Sequence, residues 1–379
     1  MKILVINCGS SSIKFQLIDS ASLFCLYKGL VEIPPESANK NAYHKGIKSI
    51  TSLLLKEKAI RKLDEIKFIG HRVVHGGEKY KKPTLISAPV IKEIKKLCRL
   101  APLHNPANLE GILACKKIFK KAKQIAVFDT AFYSSMPKKA YLYALPYSLY
   151  KKGGIRRYGF HGTNHEYVMH EALKTLKKDG YKNAKIVSCH MGNGISVTAS
   201  INGKAVDTSM GFTPLEGIPM GTRSGDIDPA IPLYLIKNGK TAEQIDYLLN
   251  HESGLKGLCG KSNMKEIWET ALHGNKTAKL SAKLAIEVLC YKISKYIGSY
   301  AAAMNGIDAI IFTGGMGEKA HYLRTMICKN LAFLGAKIDE KENKKVESGT
   351  ICDKKGNLYI FVIPANEEKM IAKHILSFT

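Results

Sequence analysis

A strand, a glycine turn and a second strand occur in this order twice in the chain, and this repeat constrains the fold more than any other feature. Lys2–Ser10 reads Lys-Ile-Leu-Val-Ile-Asn-Cys-Gly-Ser, and Lys185–Asn193 reads Lys-Ile-Val-Ser-Cys-His-Met-Gly-Asn. In each copy an apolar strand ends in a polar residue, Asn7 or His190, and a second strand follows the glycine. Repetition of such a unit indicates a duplicated domain, and a polar glycine turn can cradle a phosphate with its backbone N–H groups. We therefore expect two related α/β domains whose turns face each other across a cleft.

A third glycine cluster follows an apolar segment in the last quarter of the chain. Phe312–Glu318 reads Phe-Thr-Gly-Gly-Met-Gly-Glu; it follows a predicted strand over Ala309–Phe312 and precedes a helical pattern over His321–Leu331. Glycine allows a backbone to approach a ligand closely, and a helix start favours an anion or a nucleotide. Because the spacing lacks Gly-x-Gly-x-x-Gly, the cluster is not a dinucleotide-binding fingerprint.

Length and cysteine usage limit the architecture and the environment of the chain. Its 379 residues predict two domains, and no apolar run reaches the roughly 18 residues that a membrane-spanning helix needs. The first apolar stretch is too short for a signal peptide, so we expect a cytoplasmic protein. Nine cysteines without a Cys-x-x-Cys pair favour reduced thiols over disulfides or a zinc knuckle.

The strong positive charge does not by itself indicate a nucleic-acid-binding protein. The chain has 58 basic and 32 acidic residues, which gives a formal net charge of +26. Almost all of the excess is lysine in scattered doublets such as Lys95-Lys96 and Lys120-Lys121, whereas nucleic-acid binding favours concentrated arginine and interleaved aromatic residues. The charge therefore favours a solvated, lysine-rich surface.

Arginine is rare in this chain, so its positions are informative. Two of the few arginines, Arg72 and Arg223, lie in loops flanked by glycine. A guanidinium group forms two parallel hydrogen bonds with a carboxylate or phosphate, which lysine cannot do. Both residues are therefore predicted to bind an anionic group.

Five segments, in order along nearly the whole chain, resemble the motifs of the acetate kinase family. This family is part of the superfamily of acetate and sugar kinases, heat-shock ATPases and actin. The segments are Asn7–Phe15, Gly70–Glu78, Asp207–Glu216, Gly221–Pro229 and Pro364–Glu368.

The resemblance implies an α/β fold of two duplicated actin-like, ribonuclease H-like domains. Each would have a mixed sheet flanked by helices, with a nucleotide cleft between the domains. The N-terminal ATPase domain would span residues 1–133 and be joined by a C-terminal helix over 368–379, and the C-terminal nucleotide-binding domain would span 134–367.

The resemblance also implies a reaction, which is the reversible transfer of the ATP γ-phosphoryl group to acetate. The products would be acetyl phosphate and ADP, formed by direct in-line transfer without a covalent enzyme intermediate. The implied cofactor is Mg²⁺ or Mn²⁺, with ATP and ADP as co-substrates. The implied partner is a second copy of the chain in a homodimer, with no nucleic acid and no membrane.

Roles carried over from the family fall on definite positions of this sequence. The catalytic residues would be Arg72, Asp129, His161 and Arg223. The acceptor would be bound by Arg72, Val74, Leu103, His104, Phe160 and Pro214. Phosphates and nucleotide would contact Asn7, Ser10, Ser12, Lys14, His190, Asn193, Gly194, Asn263, Met264, Lys265, Gly314, Gly315, Met316, Gly317 and Glu318. The metal would be associated with Asn7 and Glu367.

The acceptor pocket and the nucleotide loop make two further predictions. Valine at position 74 leaves a small pocket, so we expect acetate to be the best acceptor, then propionate, with butyrate poor. The loop Ser262–Lys265 and the residue Lys319 depart from the family pattern, which leaves GTP, another nucleotide or pyrophosphate open as donor in place of ATP. A non-catalytic actin-like nucleotide-binding protein and a lysine-driven nucleic-acid-binding protein are the alternative classes.

Overall fold

The computed structural model of the chain describes residues 1–33, 40–102, 104–353 and 358–378. Within these residues the strands are β1 (Lys2–Cys8), β2 (Ser12–Asp19), β3 (Cys25–Glu32), β4 (Ile66–Val73), β5 (Thr84–Leu85), β6 (Lys123–Phe128), β7 (Lys185–Met191), β8 (Ile195–Ile201), β9 (Lys204–Thr208), β10 (Ala309–Thr313), β11 (Gly349–Thr350) and β12 (Tyr359–Val362). The α-helices are α1 (Lys40–Lys56), α2 (Ala88–Lys96), α3 (Asn105–Ile118), α4 (Lys138–Tyr141), α5 (Tyr147–Gly153), α6 (Gly162–Lys178), α7 (Ala230–Lys237), α8 (Ala242–Tyr247), α9 (Gly254–Cys259), α10 (Met264–His273), α11 (Lys276–Met304), α12 (Gly314–Lys319), α13 (His321–Lys329), α14 (Glu340–Lys345) and α15 (Glu367–Ile375). Short 3-10 helices cover Leu63–Glu65, Leu97–Arg99, Asp129–Ser135, Ala332–Leu334 and Leu376–Phe378, and a π-helix covers Leu248–Glu252.

The chain forms two compact units, each built from discontinuous segments. The first unit comprises Met1–Ser134, Phe160–Tyr167 and Asn366–Thr379, and the second comprises Ser135–Gly159 and Val168–Ala365. None of the described helices is both long and apolar enough to cross a membrane.

The sheet of the first unit has the strand order β3-β2-β1-β4-β6-β5. β1 pairs antiparallel with β2 and parallel with β4, and β4 pairs parallel with β6. Alternate side chains of β1 enter two different cores because successive residues of a strand point to opposite faces. Leu4 and Ile6 pack with α1 and α3, whereas Ile3 and Val5 pack with α15.

The sheet of the second unit repeats this pattern strand for strand. Its order is β11-β12-β10-β7-β8-β9, with β7 antiparallel to β8, and with β10 parallel to both β7 and β12. Two mixed six-stranded sheets flanked by helices therefore confirm the predicted class of duplicated α/β domains. Two bounds differ slightly from the predicted ones, since β10 ends at Thr313 instead of Phe312 and α13 ends at Lys329 instead of Leu331.

The long helix α11 begins and ends next to an asparagine. Asn275 caps its first turn by accepting a hydrogen bond from the backbone N–H of Ala278 at 3.0 Å, and Asn305 ends it in a left-handed conformation with φ of 54°. Its buried side chains occur in both halves and include Ala285, Leu289 and Ile297, but Leu280 and Leu284 are 63% and 51% exposed. These two leucines therefore do not fill the core of this unit.

Candidate active site

Charged side chains of the first unit meet where two neighbouring parallel strands end. Arg72 is the penultimate residue of β4, and Asp129 directly follows β6, whose Val127 is the register partner of Arg72. The carboxyl ends of parallel strands lie at one edge of a sheet, which is where α/β proteins place ligands. Glu367, the first residue of α15, reaches the same place.

Two carboxylates hold the Arg72 guanidinium. Nε and Nη2 of Arg72 donate to Asp129 Oδ2 at 3.1 and 2.7 Å, and Nη1 lies 3.2 Å from Glu367 Oε2. Asp129 is buried and also accepts a hydrogen bond from the Thr163 hydroxyl at 2.7 Å. The Asp129 carboxylate is thus fixed from two sides, and it orients the arginine in turn.

Burial and charge act in opposite directions on these groups. Burial alone would lower the pKa of Arg72, but Asp129 and Glu367 outweigh it and raise that pKa. Burial raises the pKa of Glu367 to about 7, together with the charges of Asp129 and Glu368, although Arg72 and Lys14 oppose the shift. Arg72 therefore stays charged, and Glu367 is a carboxylate that a further cation would stabilise.

Helix packing explains why Glu367 lies beside Arg72. Asn366 caps α15 by accepting a hydrogen bond from the backbone N–H of Lys369 at 3.0 Å. Ile371 and Ile375 pack directly over Gly70 of β4, where a Cβ atom would lie 2.5 Å from Ile371 Cγ2. Only glycine at position 70 lets α15 approach the strand this closely.

Two asparagines on the first turn of α3 fix the loop that follows β4. Asn105 accepts from the backbone N–H of His75 at 3.0 Å and donates to the His75 carbonyl at 3.1 Å. Asn108 accepts from the backbone N–H of Val74 at 3.0 Å and donates to the Cys8 carbonyl at 2.7 Å. The sequence motifs do not single out either asparagine, although Asn105 directly follows His104, which they do.

The other predicted acceptor residues of the first unit lie around the same loop. Val74 and Phe160 are buried, and the ring of His75 contacts the Phe160 ring edge-on at 5.9 Å between centroids. The His104 carbonyl accepts the backbone N–H of Asn108 at 3.0 Å. Leu103 lies outside the described residues.

His161 has an unusual backbone conformation at the start of α6. Its φ is 55°, in the left-handed region, and its carbonyl accepts the backbone N–H of His165 at 3.0 Å. The next residue, Gly162, lies so close to the Asp129 carbonyl that a Cβ atom would overlap it. The turn therefore places His161 next to the segment that carries Asp129.

The first glycine turn carries its four predicted phosphate-binding residues on one hairpin. Asn7 is the register partner of Lys14 across β1 and β2, and the Gly9 N–H donates to the Ser12 carbonyl at 2.8 Å. The Tyr43 hydroxyl donates to the Gly9 carbonyl at 3.0 Å. Ser10 is exposed at the tip of the turn.

Arg223 of the second unit has a very different environment from that of Arg72. Its Nη1 donates to the Pro214 carbonyl at 3.3 Å, and burial lowers its pKa. Among the residues that the structure describes, no carboxylate forms an ion pair with Arg223. A largely buried cation without an anion is suited to bind an anionic ligand.

The loop of Arg223 is held firmly by the segment that runs into α9. The backbone N–H of Leu255 donates to the Met220 carbonyl at 2.9 Å, and that of Ser253 donates to the Thr222 carbonyl at 3.0 Å. Gly254 has φ of 61° and packs against the backbone of the loop, where a side chain would overlap it. The Arg223 backbone is therefore rigidly placed.

The second and third glycine clusters lie side by side in the second unit. His190 at the end of β7 is the register partner of Thr313 at the end of β10. Gly314, with φ of 78°, leaves a Cβ position only 3.0 Å from the Met191 backbone. The turn that contains Asn193 and Gly194 and the segment Gly314–Glu318 thus form one glycine-rich surface.

The loop over 262–265 approaches the Arg223 loop instead. A Cβ atom on Gly221 would lie 3.0 Å from the Ser262 carbonyl oxygen, and Asn263 caps α10 by accepting the backbone N–H of Lys265 at 2.9 Å. Trp268 of α10 stacks on Tyr322 of α13 with ring centroids 3.7 Å apart. Through this stack, α10 contacts the helix that follows the third glycine cluster.

Two duplicated α/β units thus carry glycine-rich turns and an arginine held by two carboxylates, features that are typical of proteins that bind phosphate groups. The model of the acetokinase family matches residues 2–373 of the chain, and the chain belongs to this family. Both the family resemblance seen in the motifs and the predicted class of enzyme are therefore confirmed.

Individual relatives match over nearly their whole length. An acetate kinase of Carboxydothermus hydrogenoformans is 47% identical over 99% of this chain and 98% of its own. The crystal structure of a Porphyromonas gingivalis acetate kinase is 39% identical and covers 99% of both chains with a TM-score of 0.89. The crystal structure of a propionate kinase from Francisella tularensis is 41% identical and covers 98% of both chains, also with a TM-score of 0.89.

Proposed function

We propose that this protein is an acetate kinase, which reversibly transfers the ATP γ-phosphoryl group to acetate and forms acetyl phosphate and ADP. The observation that carries the proposal is the contrast between Arg72, which lies in strand β4 and not in a loop as its glycine neighbours predict, and Arg223, which lies in a loop. Arg72 is held in a fixed orientation by Asp129 and Glu367, whereas Arg223 is largely buried and has no carboxylate partner among the described residues. The names of the relatives support acetate as the acceptor.

In the proposed reaction, an acetate oxygen attacks the γ-phosphorus while the bond to the bridging oxygen of ADP breaks. The transition state is loose, and its charge lies on the equatorial oxygens, so the protein acts chiefly by positioning and neutralising it. Arg72 and Arg223 bind the acetate carboxylate and the transferring phosphoryl group, and His161 donates a hydrogen bond to that group. Asp129 is a positioning residue, because it contacts Arg72.

Donor binding is assigned to the glycine-rich turns. Phosphates are bound by Ser10, Ser12 and Lys14 at the first turn and by His190, Asn193 and Gly194 at the second. The nucleoside is bound by Gly314–Glu318 together with Asn263–Lys265. Glu367 and Asn7 offer hard oxygen donors, which suit Mg²⁺ or Mn²⁺. In protein sites, magnesium usually keeps several water ligands and takes further oxygen ligands from the phosphates of the substrate. Bound there, the ion would neutralise phosphate charge.

The acceptor pocket is assigned to Val74, Leu103, His104, Phe160 and Pro214, and it favours acetate over longer carboxylates. A specific observation favours propionate as a second acceptor, because one of the most similar solved structures is a propionate kinase. An additional methylene changes binding by about 1–3 kcal/mol, so both acceptors can be used with different efficiency.

We also propose that one domain comprises residues 1–133 and 368–379 and that the other comprises residues 134–367.

We propose further that the enzyme is a cytoplasmic homodimer. Helix α7 supports a second copy of the chain as partner. Its residues Ile231, Leu233, Tyr234 and Ile236 are between 44% and 66% exposed. Exposed apolar side chains in this number are typical of a subunit interface.

The experiment that tests the proposal measures acetyl phosphate, trapped as the hydroxamate, from acetate and Mg²⁺ with ATP, GTP or pyrophosphate as donor. We expect formation with ATP that requires both acetate and Mg²⁺. Formation of acetyl phosphate with a different donor only would support phosphoryl transfer to acetate but would reject ATP as the donor. Absence of product with all three donors would reject the proposed function.

A further inference from the structure

A single hydroxyl group closes a short loop in the second unit. The Tyr143 hydroxyl oxygen accepts the backbone N–H of Phe212 at 2.8 Å, and the same hydroxyl donates its proton to the Glu216 carboxylate. Residues 212–216, which we call the Pro214 loop, are therefore held at both ends by one side chain. Pro214 lies at the middle of this loop.

Arg157 holds the carboxylate from its other side. Its Nη2 forms an ion pair with Glu216 Oε1, and its Nη1 donates to the carbonyls of Thr208 and Ser209 at 2.8 and 3.1 Å. Thr208 is the last residue of β9, so Arg157 ties the loop to the end of the sheet. The Glu216 carboxylate thus has a partner on each oxygen.

The residue before the loop must be small for this arrangement to form. A Cβ atom on Gly211 would overlap both the Glu216 carboxylate and the Tyr143 hydroxyl. Burial and the neighbouring Glu216 charge also raise the pKa of Tyr143. The phenol therefore remains a proton donor throughout the physiological range.

The loop has a direct contact with a residue that the proposed reaction uses. The Pro214 carbonyl accepts a hydrogen bond from Arg223 Nη1 at 3.3 Å. A shift of the Pro214 loop would move this acceptor and therefore the guanidinium group. The same shift would displace the Pro214 ring, which is assigned to the acceptor pocket.

We propose that Tyr143, supported by Arg157 through Glu216, is a positioning residue that fixes both the Arg223 guanidinium and the Pro214 wall of the acceptor pocket. The inference rests on the proposed function for its kinetic consequence. Its structural part, the closure of the Pro214 loop by the Tyr143 hydroxyl, does not depend on the identity of the acceptor.

The test compares Tyr143→Phe with a matched control in the same unit. The control is Tyr359→Phe, because Tyr359 also donates its hydroxyl to a carboxylate, Asp179 Oδ2, at 2.8 Å. Each substitution removes one phenolic oxygen and nothing else. The measurements are kcat and KM with acetate and propionate, the thermal midpoint, and amide hydrogen exchange of the peptides that cover residues 208–226.

We expect Tyr143→Phe to lower kcat about tenfold, because a misplaced catalytic group reduces the rate steeply. The preference for acetate over propionate should fall about threefold or more, since the pocket wall is no longer fixed. Amides of 212–216 should exchange faster, whereas Tyr359→Phe should change none of these three quantities. A lower thermal midpoint in both variants with wild-type kcat and acceptor preference would overturn the proposal.

Two further outcomes are also decisive. If Tyr143→Phe does not fold, Glu216→Gln serves instead, because it keeps the shape of the side chain but removes the charge that both Tyr143 and Arg157 bind. If the wild type transfers no phosphoryl group to acetate, the proposed function is wrong. The hydrogen-exchange data still test whether the Tyr143 hydroxyl holds the Pro214 loop. Unchanged exchange of 212–216 in the substituted protein would overturn it.

Discussion

The contact between Gly70 and α15 makes the sharpest prediction about how packing controls the candidate site. In a Gly70→Ala variant the new Cβ would lie 2.5 Å from Ile371 Cγ2 and 2.6 Å from Ile375 Cδ1. Carbon atoms in contact are about 3.5–4.0 Å apart, so α15 must move away by about 1 Å. Both isoleucines are fully buried, and neither can swing into solvent.

This movement would be transmitted to Glu367 at the start of the same helix. The distance from Arg72 Nη1 to Glu367 Oε2 is 3.2 Å, so a shift of about 1 Å would break the ion pair. We expect a loss of about 1–3 kcal/mol in the free energy of unfolding from overpacking. We also expect a fall of about 100-fold in kcat, which is typical of a misplacement of about 1 Å.

The assay is urea denaturation together with acetyl phosphate formation over a series of Mg²⁺ concentrations. The control is Gly298→Ala in α11, because a Cβ atom at Gly298 meets nothing within 4 Å. That change should stabilise the helix by about 0.5–1 kcal/mol and leave activity unaltered. Wild-type kcat and wild-type Mg²⁺ dependence in Gly70→Ala would refute the argument that α15 packing places Glu367.

Three other substitutions test separate parts of the account. Asp129→Asn removes the negative charge of the carboxylate that accepts the hydrogen bond from Arg72 Nη2 at 2.7 Å. This substitution should lower the free energy of unfolding by about 3 kcal/mol and lower kcat about 100-fold or more. Unchanged values in both assays would contradict the role of Asp129. Burial lowers the pKa of His71 from 6.5 to about 4, although its hydrogen bond to Gln124 opposes the shift, so only the unfolded chain gains this proton as the pH falls from 6.5 towards 4. As the pH falls through this range, the free energy of unfolding of the wild type should therefore decrease by about 1.4 kcal/mol per pH unit more than that of His71→Asn. Urea titrations at several pH values that give the same pH dependence for both proteins would reject this. Val74→Ala should raise kcat/KM for propionate relative to acetate about fivefold by enlarging the pocket, and an unaltered ratio would remove Val74 from the pocket.

The fold could be predicted from the sequence because the pattern that indicates it is local and occurs twice. The segments that begin at Lys2 and Lys185 both read as an apolar strand, a glycine turn and a second strand, and each became the centre of a six-stranded sheet with the same order. Helix α11 also has recognisable ends, since Asn275 caps its start. Alternation and capping depend on neighbours in the chain, so they can be read without the tertiary structure.

The candidate site could be predicted only in part from the sequence. The motifs selected Arg72 and Asp129, and the structure shows their salt bridge, but the catalytic roles remain predictions. Thr163 and Asn108 were missed because their importance comes from contacts with residues 34 and 100 positions away. Nothing in the local sequence distinguishes such an asparagine from one that caps a helix.

Close packing was equally hidden from the sequence. Gly70 occurs in a motif that could be read as an ordinary glycine-rich loop end, whereas the structure places it within β4 beneath Ile371. The anchor formed by Tyr143, Arg157 and Glu216 joins residues up to 73 positions apart. Only the folded chain shows that they share one carboxylate.

The most direct test of the central claim is the initial rate of acetyl phosphate formation from ATP and acetate for the wild type, Arg223→Ala and Arg223→Lys. We predict acetate-dependent turnover in the wild type and a loss of about 1000-fold or more in kcat for both variants, because lysine keeps the charge but not the forked donor geometry. Unfolding free energies should change little, since Arg223 has no ion-pair partner to lose among the described residues. Wild-type turnover in Arg223→Ala would contradict the claim that this arginine binds the transferring phosphoryl group.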